Sequence, residues 1–563
     1  MRYPAFFLLW TIFGATLSLS VASPLAAKDH FLTIGGGYDP NGNQASLESN
    51  VLMFQRLLAE QRPDHPPHDL FFSDGNDPLR DLKYIDVEKE SRCSTAQRIM
   101  LEVFGRGASA GTCFRTHEVP DVIGPTERSA LKRRFKALGR ELKSGDRLIV
   151  YVTGHGGEAE EESSDDYDYE YDYDEKKWKA KATDGEQANT EDAQYNTLMY
   201  LWDSESVEAR EFGRWLDQLD SEVTVVLVMV QCYSGGFSHV LFRRHDPELG
   251  LSSAPRCGFF SQLHDRAAAG CTADSNEADY QEYSTYFWAA LGGKTRTGEP
   301  LERPDYNEDG QVSFAEAHAY AVIESDTIDI PLRTSESFLR HYSRLGRRGN
   351  AEESDEESGN PVSRLLSSFG GGSKAEATQG LASASGPLAE LIAKVPQDQR
   401  AILELLPQKL GISKPVTVEA VRLKLRQAES DLAAARLKSH AASETRRKVK
   451  SDLREEIYAV WPEISKGYSP TLVELTNDRS DEFVETIEGL ASYEAWVSAS
   501  GRVDELAEGL RIAQRFEARC QRLLKTIETV VLAENLSTVA PTDIVERYRQ
   551  LISLEEQSLA EPK

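Results

Sequence analysis

Two residues in this sequence have the types and positions of a thiol catalyst. His155 lies in YVTGHGG, at the end of an apolar run, and Cys232 lies in VVLVMVQCYSGGF, after a second such run. Glycines beside each residue leave the backbone open to a substrate and its N–H groups free to face an oxyanion. An imidazole near a thiol favours the nucleophilic thiolate. The pair therefore predicts covalent catalysis, with Cys232 as nucleophile and His155 as general acid and base.

Both residues follow segments that have the composition of buried strands. Helical patterns separate these segments along the chain, at Ala45–Glu60, Arg128–Leu142 and Val207–Leu219. Continuous apolar strands that alternate with helices are typical of a mostly parallel sheet covered on both faces. Ligands bind such sheets at the carboxyl ends of the strands, where both residues are expected. The predicted strands are HFLTIGGG, DLFFSDG, DRLIVYVTGHGG, VTVVLVMVQ and CGFFSQL.

The motifs VTGHGG and QCYSGG, in this order and each with a strand before it, resemble those of the caspase-like cysteine peptidases. That superfamily includes caspases, legumains, metacaspases and gingipains. The resemblance covers about residues 30–345 and implies a six-stranded, mainly parallel sheet flanked by helices. It also implies peptide-bond hydrolysis through a thioester on Cys232, with His155 protonating the leaving amine. The N–H groups of Gly156 and Cys232 would then form the oxyanion hole.

Two departures from the family pattern concern cleavage specificity. Legumains, caspases and metacaspases carry an acid or a glutamine two residues before the cysteine, where this chain has Val230. Legumains also have an asparagine after the first strand that orients the histidine, and an arginine soon after it. The equivalent loop here, GGGYDPNGNQAS, has no arginine, and Asn41 and Asn43 are the candidates for orienting His155. The sequence therefore does not predict a preference for Asp or Asn at the cleaved bond.

A second, independent motif predicts a calcium site. DYNEDGQVSFAE, residues 305–316, fits the calcium-loop pattern D-x-[DN]-x-[DN]-G-x5-E. Hard oxygen ligands around a glycine turn suit Ca²⁺. Because prolines precede the loop, we expect a helix only after it, and we expect calcium to brace the fold near the active-site loops. The predicted ligands are Asp305, Asn307, Asp309, Gln311 through its carbonyl, Ser313 and Glu316.

The N-terminus predicts an exported protein, periplasmic or secreted. One arginine precedes the apolar run 6–21, and small residues follow it, which is typical of a signal peptide over residues 1–27. No other segment approaches the length of a membrane span, so we expect no stable membrane insertion. In an oxidising compartment two disulfides would close local loops, Cys93 with Cys113 and Cys257 with Cys271.

Charge and composition divide the chain further. The formal net charge of −28 argues against nucleic acid as a partner. Residues 158–194 begin with a dense acidic run three residues after His155 and predict a disordered insertion in the peptidase domain, 28–345. Residues 346–386 are rich in Gly, Ser and acids and predict a flexible linker.

The C-terminal part, residues 387–563, has the apolar spacing of long helices. Apolar residues recur at steps of three and four, which predicts an all-α bundle or coiled-coil domain. Cys520 falls on one such stripe, so we expect it to be a packed core residue. No chemistry is visible in these helices, which are expected to contact a protein partner or to self-associate.

Three functions are compatible with these residues. The first is an exported cysteine endopeptidase acting on a protein or peptide substrate. The second is a transpeptidase or ligase, which the same thioester allows if an amine outcompetes water. The third is a catalytically weak or inactive scaffold that binds protein partners; Val230 favours it, and the presence of both His155 and Cys232 weighs against it.

Overall fold

The structure is a computed structural model that describes residues 28–105, 109–159, 169–172, 177–180, 193–346, 380–466 and 469–559. The predicted signal peptide lies outside these residues. So do most of the predicted acidic insertion and residues 347–379 of the predicted linker.

Thirteen strands are present in the described residues. They are β1 Asp29–Gly35, β2 His68–Phe72, β3 Leu82–Ile85, β4 Thr112–Arg115, β5 Arg147–Thr153, β6 Gly156–Gly157, β7 Tyr169–Asp172, β8 Lys177–Ala180, β9 Leu198–Tyr200, β10 Ser206–Glu208, β11 Thr224–Met229, β12 Arg256–Phe260 and β13 Leu332–Arg333.

Fifteen α-helices accompany the strands in the described part of the chain. They are α1 Ala45–Gln61, α2 Val87–Ser91, α3 Thr95–Phe104, α4 Arg128–Glu141, α5 Ala209–Leu216, α6 Tyr283–Gly292, α7 Phe314–Glu324, α8 Thr334–Tyr342, α9 Leu388–Ile392, α10 Gln397–Lys409, α11 Val418–Val460, α12 Pro470–Thr476, α13 Ser480–Glu488, α14 Tyr493–Val539 and α15 Thr542–Glu555.

A six-stranded sheet in the order β2–β1–β5–β11–β12–β13 forms the centre of the N-terminal part. Every neighbouring pair is parallel except β12 and β13. The predicted class, a mainly parallel α/β sheet with an all-α C-terminal region, is confirmed. The chain passes from β1 to β2 on one side and then to β5 on the other, so the order reverses between β1 and β5. A crevice forms at such a reversal, outside the carboxyl ends of the strands.

Alternation of side chains explains why helices cover both faces of this sheet. Along β5, Val150 and Val152 enter one core with α4 and α5. Ile149 and Tyr151 enter the opposite core with α1 and α6. Successive residues of a strand point to opposite faces, so an uninterrupted apolar run requires cover on both sides.

The C-terminal helices share these cores. Helices α11 and α14 pack antiparallel, because Leu425 and Leu524 lie in one apolar cluster and Ile457 and Trp496 lie in another. The second half of α14 adds Ala518 to the core on one face of the sheet and Leu532 to the core on the other. Cys520 is fully buried in the first of these helical clusters. The helical region is thus packed into the sheet domain.

Parts of the two segments predicted to be unstructured have regular contacts. In the acidic insertion, β7 pairs antiparallel with β8, with Tyr169 opposite Ala180. Alternating tyrosines favour strand formation, which the charge count alone does not reveal. In the predicted linker, residues 380–386 are described, and the Asn535 amide hydrogen-bonds both backbone groups of Ala382. These residues have backbone partners in the structure, and the disordered insertion and the flexible linker stay predictions.

Neither predicted disulfide is present, because all six cysteines are free thiols. Cys257 is fully buried on β12 and belongs to the sheet core. Cys271 lies in a loop beyond the carboxyl edge of the sheet, where its thiol contacts the Gly154 carbonyl at 3.9 Å. Cys113 lies on β4, next to the Lys89 amine. Sequence spacing suggested the pairs, whereas packing places Cys257 in the sheet core and Cys271 in the loop beyond it.

Among the described residues, no helix has both the length and the hydropathy that crossing a bilayer requires.

Candidate active site

The two predicted catalytic residues leave the same edge of the sheet from neighbouring strands. Strands β5 and β11 are parallel, with Val152 opposite Met229, and His155 and Cys232 follow shortly after these residues. The segments touch: a Cβ added to Gly156 would lie 2.2 Å from the Cys232 carbonyl oxygen. The structure therefore places the predicted base and nucleophile at the ends of neighbouring strands, where their backbone segments meet beside β1.

The His155 ring is held by the loop after β1. Its Nε2 lies 2.8 Å from the Gly42 carbonyl oxygen and 2.9 Å from the Gln44 Oε1. A carbonyl oxygen only accepts, so Nε2 carries the proton, and Nδ1 is the basic atom of the neutral ring. The Tyr38 ring packs edge-on at 5.2 Å between centroids. The imidazole is therefore oriented by a backbone carbonyl and a glutamine.

Neither asparagine proposed to orient the ring does so. Asn43 is buried and braces its own loop, accepting from the Gly37 N–H and donating to the Asp81 carbonyl and carboxylate. Asn41 is exposed at the loop tip. Asn43 fixes the loop conformation that presents the Gly42 carbonyl, so its effect on His155 is indirect.

Cys232 sits at a sharp turn. The next residue, Tyr233, adopts a left-handed backbone with φ 58°, which ends the extended run and begins a short 3₁₀ helix at Ser234. The Tyr233 hydroxyl donates to Glu158 at 3.0 Å, so the start of the acidic insertion contacts the residue beside the nucleophile. A non-glycine residue in this conformation is uncommon and is enriched at functional sites.

Both reactive groups are neutral in this resting arrangement. Burial raises the pKa of the Cys232 thiol, and the nearby Asp329 carboxylate adds to the rise. Burial also lowers the pKa of His155, against the opposing effects of the Gly42 carbonyl and the Asp39 charge. The thiol sulfur accepts from the Ala268 N–H at 3.2 Å. Both pKa directions favour the uncharged forms, a thiol and a neutral imidazole.

The Gly156 N–H has the direction that an oxyanion hole needs. Strand β6 pairs antiparallel with β9, and the Tyr200 N–H donates to the His155 carbonyl at 3.0 Å. His155 and Tyr200 are thus a hydrogen-bonded pair, and Gly156 and Met199 form the next, non-bonded pair. Backbone groups of a non-bonded pair point away from the partner strand. The Gly156 N–H is therefore turned outward, beside Cys232.

Replacing Gly156 with alanine is expected to lower kcat by about 10²-fold, because the methyl group would displace the Cys232 segment by roughly 1 Å. The clash is with backbone, which no side-chain rotation relieves. Peptide-hydrolysis kinetics would measure it. Gly157→Ala is a matched control, since its methyl group would meet the Tyr200 side chain instead. An equal loss of kcat in the two variants would contradict a specific role of the contact between Gly156 and the Cys232 backbone.

A loop that no sequence motif marks contacts the Cys232 sulfur. We call residues 264–274, which follow β12, the active-site strap. Its Arg266 carbonyl accepts from the Tyr233 N–H at 2.9 Å, and its Ala268 N–H reaches the Cys232 sulfur. Farther on, Thr272 exchanges hydrogen bonds with Ser46 at the start of α1. The strap therefore crosses the carboxyl edge of the sheet from β12 to the helix after β1.

The Asp329 carboxylate holds the strap through a hydrogen bond to its backbone. It is fully buried, and its Oδ1 accepts from the Ala269 N–H at 2.6 Å. Its Oδ2 has no hydrogen-bond partner in the described residues. Burial raises the pKa of this carboxyl to about 7. In the sequence, DTIDIPL is a short stretch of mixed polar and apolar residues, so nothing local marks Asp329.

A buried polar network lies behind the strand that carries His155. Thr153, two residues before the histidine, accepts from the Asn50 amide at 2.9 Å. The Arg296 guanidinium is buried against Asn50 and lies 3.2 Å from Glu282. Arg296, in the turn after α6, therefore reaches Asn50 of α1, a contact that sequence spacing does not reveal.

The predicted calcium loop folds as its pattern requires. The carboxylate of Asp305 accepts from the Asp309 and Gly310 N–H groups, and Glu316 Oε1 accepts from the Asn307 N–H at 3.1 Å. Gly310 has φ 87°, as the sharp turn demands. The predicted outgoing helix is α7, which begins at Phe314 within the last positions of the loop, and Ser313 and Glu316 form its capping box. The oxygen-rich donor set fits Ca²⁺.

The calcium loop is remote from the catalytic edge. The Gln311 side chain accepts from Ser558, and the Phe314 N–H donates to Gln557. These tail residues bind Arg147, the first residue of β5, whereas His155 follows its last. The structure therefore connects this loop to the first residue of β5, whereas His155 follows the last residue of that strand.

Comparison with known proteins provides no assignment. No protein-family model matches the sequence, and no curated protein matches it. Among solved structures, one similar chain is the crystal structure of a protein from Geobacter sulfurreducens, with 12% identity and a TM-score of 0.29. The match covers 54% of this chain and 92% of that one. A superposition this loose supports no conclusion about family or function.

Proposed function

We propose that the protein is a cysteine endopeptidase of the caspase-like type, with Cys232 as nucleophile and His155 as general acid and base. The observation that carries the proposal is the contact of the Gly156 and Cys232 segments at the carboxyl ends of β5 and β11. It combines a thiol, an oriented imidazole and an outward N–H at the crevice of a parallel sheet.

In the proposed reaction, the Cys232 proton passes to Nδ1 of His155 as the sulfur attacks the substrate carbonyl carbon. The N–H groups of Gly156 and Cys232 stabilise the oxyanion. His155 then gives its proton to the departing amine, which leaves a thioester on Cys232. Water, deprotonated by His155, attacks the thioester, and the acid product leaves as the thiol is restored.

Labelling with a peptidyl acyloxymethyl ketone, together with cleavage of a peptide library, tests the proposal directly. The peptidase proposal requires modification of Cys232 and discrete cleavage sites. Labelling without cleavage would leave a reactive thiol but refute the peptidase. Absence of both under reducing conditions with calcium present would refute the assignment of Cys232 as a nucleophile.

Alkylation of Cys232 by iodoacetamide is expected to increase steadily from about pH 6 to about pH 9 without a plateau. Only the thiolate reacts, and burial raises the pKa of this thiol, so the thiolate fraction continues to grow across that range. Peptide-level mass spectrometry would follow Cys232 separately from the other thiols. A plateau below about pH 7 would instead indicate a resting thiolate–imidazolium pair.

The inactive scaffold is a second candidate, favoured by one observation. The active-site strap donates the Ala268 N–H to the sulfur on which a substrate would react. If the strap never moves, the fold binds partners without catalysis. The ketone probe separates the two candidates, because a permanently covered thiol would not be labelled in the folded protein.

We also propose that the loop of residues 305–316 binds calcium and stabilises the fold. The side chains of Asp305, Asn307, Asp309 and Glu316 would hold the ion, together with the Gln311 carbonyl and Ser313. Calcium supplies positive charge that neutralises the clustered carboxylates. Because the loop contacts the tail at Gln557 and Ser558, its effect is expected on stability and not on the chemical step.

Calcium is expected to raise the free energy of unfolding by about 1–3 kcal/mol when its free concentration is tenfold to a hundredfold above Kd. Thermal unfolding with calcium or with a chelator measures the increase. Asp305→Asn should lose most of the gain. Glu308→Gln is the matched control, since it removes a carboxylate from the same loop at a position outside the ligand pattern. Equal losses would contradict a specific site.

A further inference from the structure

Arg522, in the second half of α14, is a fully buried side chain where the helical region meets the sheet. All of its described hydrogen bonds go to carbonyl or hydroxyl oxygens at the end of α7 and in the segment that links α7 to β13. The acceptors are the carbonyls of Val322 at 3.2 Å, Ser325 at 2.9 Å, Thr327 at 3.0 Å and Asp329 at 2.6 Å, and the Thr327 hydroxyl at 2.9 Å.

Two further contacts lead from this segment to the nucleophile. The carboxylate of Asp329 accepts from the Ala269 N–H of the active-site strap. The neighbouring Ala268 N–H donates to the Cys232 sulfur. Three hydrogen bonds thus connect α14 to the nucleophile. Arg522 donates to the Asp329 carbonyl, the Asp329 carboxylate accepts from Ala269 of the strap, and Ala268 of the strap donates to the Cys232 sulfur.

We propose that Arg522 is a positioning residue for Cys232, acting through Asp329 and the strap; this inference rests on the proposed peptidase function. A guanidinium presents five N–H donors in a rigid plane, which suits several carbonyl oxygens of one turn. Without it, those carbonyls lose the guanidinium donors, and the segment around Asp329 keeps only its other contacts, among them the hydrogen bonds of Gln262 with Ile328 and Ile330. Helix α14 thereby takes part in the geometry of the site.

The test compares Arg522→Met with Lys525→Met in the full-length chain. Lys525 lies one turn farther along α14, is also buried, and donates to the Pro331 carbonyl and Glu336, beyond the 325–329 segment. Both variants remove a buried cation from the same helix. Arg511→Gln, which breaks an exposed pair with Glu508, controls for charge alone.

Three measurements are made on each variant: peptide-hydrolysis kinetics, alkylation of Cys232 across pH, and hydrogen exchange of the strap amides, with thermal unfolding as a reference. For Arg522→Met we expect kcat to fall about 10- to 100-fold with KM within about twofold. We also expect faster exchange of strap amides and slower alkylation at neutral pH, because the Ala268 N–H no longer favours the thiolate. Lys525→Met should leave the kinetics, alkylation and exchange within about twofold, whatever its melting temperature.

Equal effects of the two methionine variants would overturn the proposal, since Arg522 would then serve stability alone. If Arg522→Met does not fold, Asp329→Ala and Arg522→Lys replace it. The first must loosen the strap, and the second must retain part of the rate. Should the wild type show no hydrolysis while strap exchange and alkylation still respond to Arg522 and not to Lys525, the positioning role stands and the peptidase function fails.

Discussion

Replacing Cys232 with alanine is expected to abolish peptide hydrolysis, with a loss in kcat on the order of 10⁵-fold or more. The sulfur forms the bond to the substrate carbonyl, and no neighbouring group substitutes for it in the described site. Cleavage of the best library peptide measures the loss, and the ketone probe should no longer label the protein. Since the Cys232 side chain is only half-buried, the variant should fold normally.

Cys271→Ser provides the matched control. This thiol also lies at the carboxyl edge of the sheet, where it contacts the Gly154 carbonyl at 3.9 Å. Burial raises its pKa strongly, so it is a poor nucleophile. Serine keeps a donor for that carbonyl, and the variant should retain most of the activity. Loss of activity in Cys271→Ser with retention in Cys232→Ala would transfer the catalytic role to the other cysteine.

Replacing His155 with glycine is expected to lower kcat by about 10³-fold, within the range for removal of a general acid–base group. Its Nε2 is committed to the Gly42 carbonyl, and Nδ1 remains for proton transfer. Added imidazole should restore part of the rate, because the substitution leaves a space of the same shape. Hydrolysis rates with and without imidazole measure both effects.

The pH profile distinguishes a catalytic histidine from one that only packs. The wild-type rate should fall at acidic pH as Nδ1 becomes protonated, and burial places the pKa of His155 below its ordinary value. The half-maximal point of this acid limb should therefore lie below the ordinary histidine pKa of about 6.5. In His155→Gly without imidazole the limb should disappear. An unchanged limb would contradict the role assigned to His155. His440→Gly, at an exposed position of α11, should leave the profile intact.

Local pattern was sufficient for much of this protein. The apolar runs predicted the main strands because a strand buried on both faces needs apolar residues at every position. The same rule located His155 and Cys232 at the carboxyl edge, since each follows such a run. The calcium motif predicted its own loop geometry because the loop is closed by hydrogen bonds among residues 305–316.

Local sequence patterns did not predict the contacts between segments that are far apart in the chain. The His155 ring is oriented by Gly42 and Gln44, which lie 113 and 111 positions earlier in the chain. Neither Asn41 nor Asn43 contacts the ring. One of its partners is a backbone carbonyl, which any residue can provide and which the sequence therefore does not mark. The predicted disulfides failed for a related reason, since spacing does not show which strand or loop buries each thiol.

The sequence by itself determined the α/β class, the helical C-terminal region and the positions of His155 and Cys232 after two buried strands, since periodicity and strand ends are local properties. The tertiary structure alone decided what surrounds those residues. Packing brings the strap over Cys232, places Asp329 beneath it and buries Arg522 against that segment. The same packing places the loop of residues 305–316 near the amino end of β5, opposite the end that His155 follows. Such contacts join segments far apart in the chain, so a local pattern does not predict them.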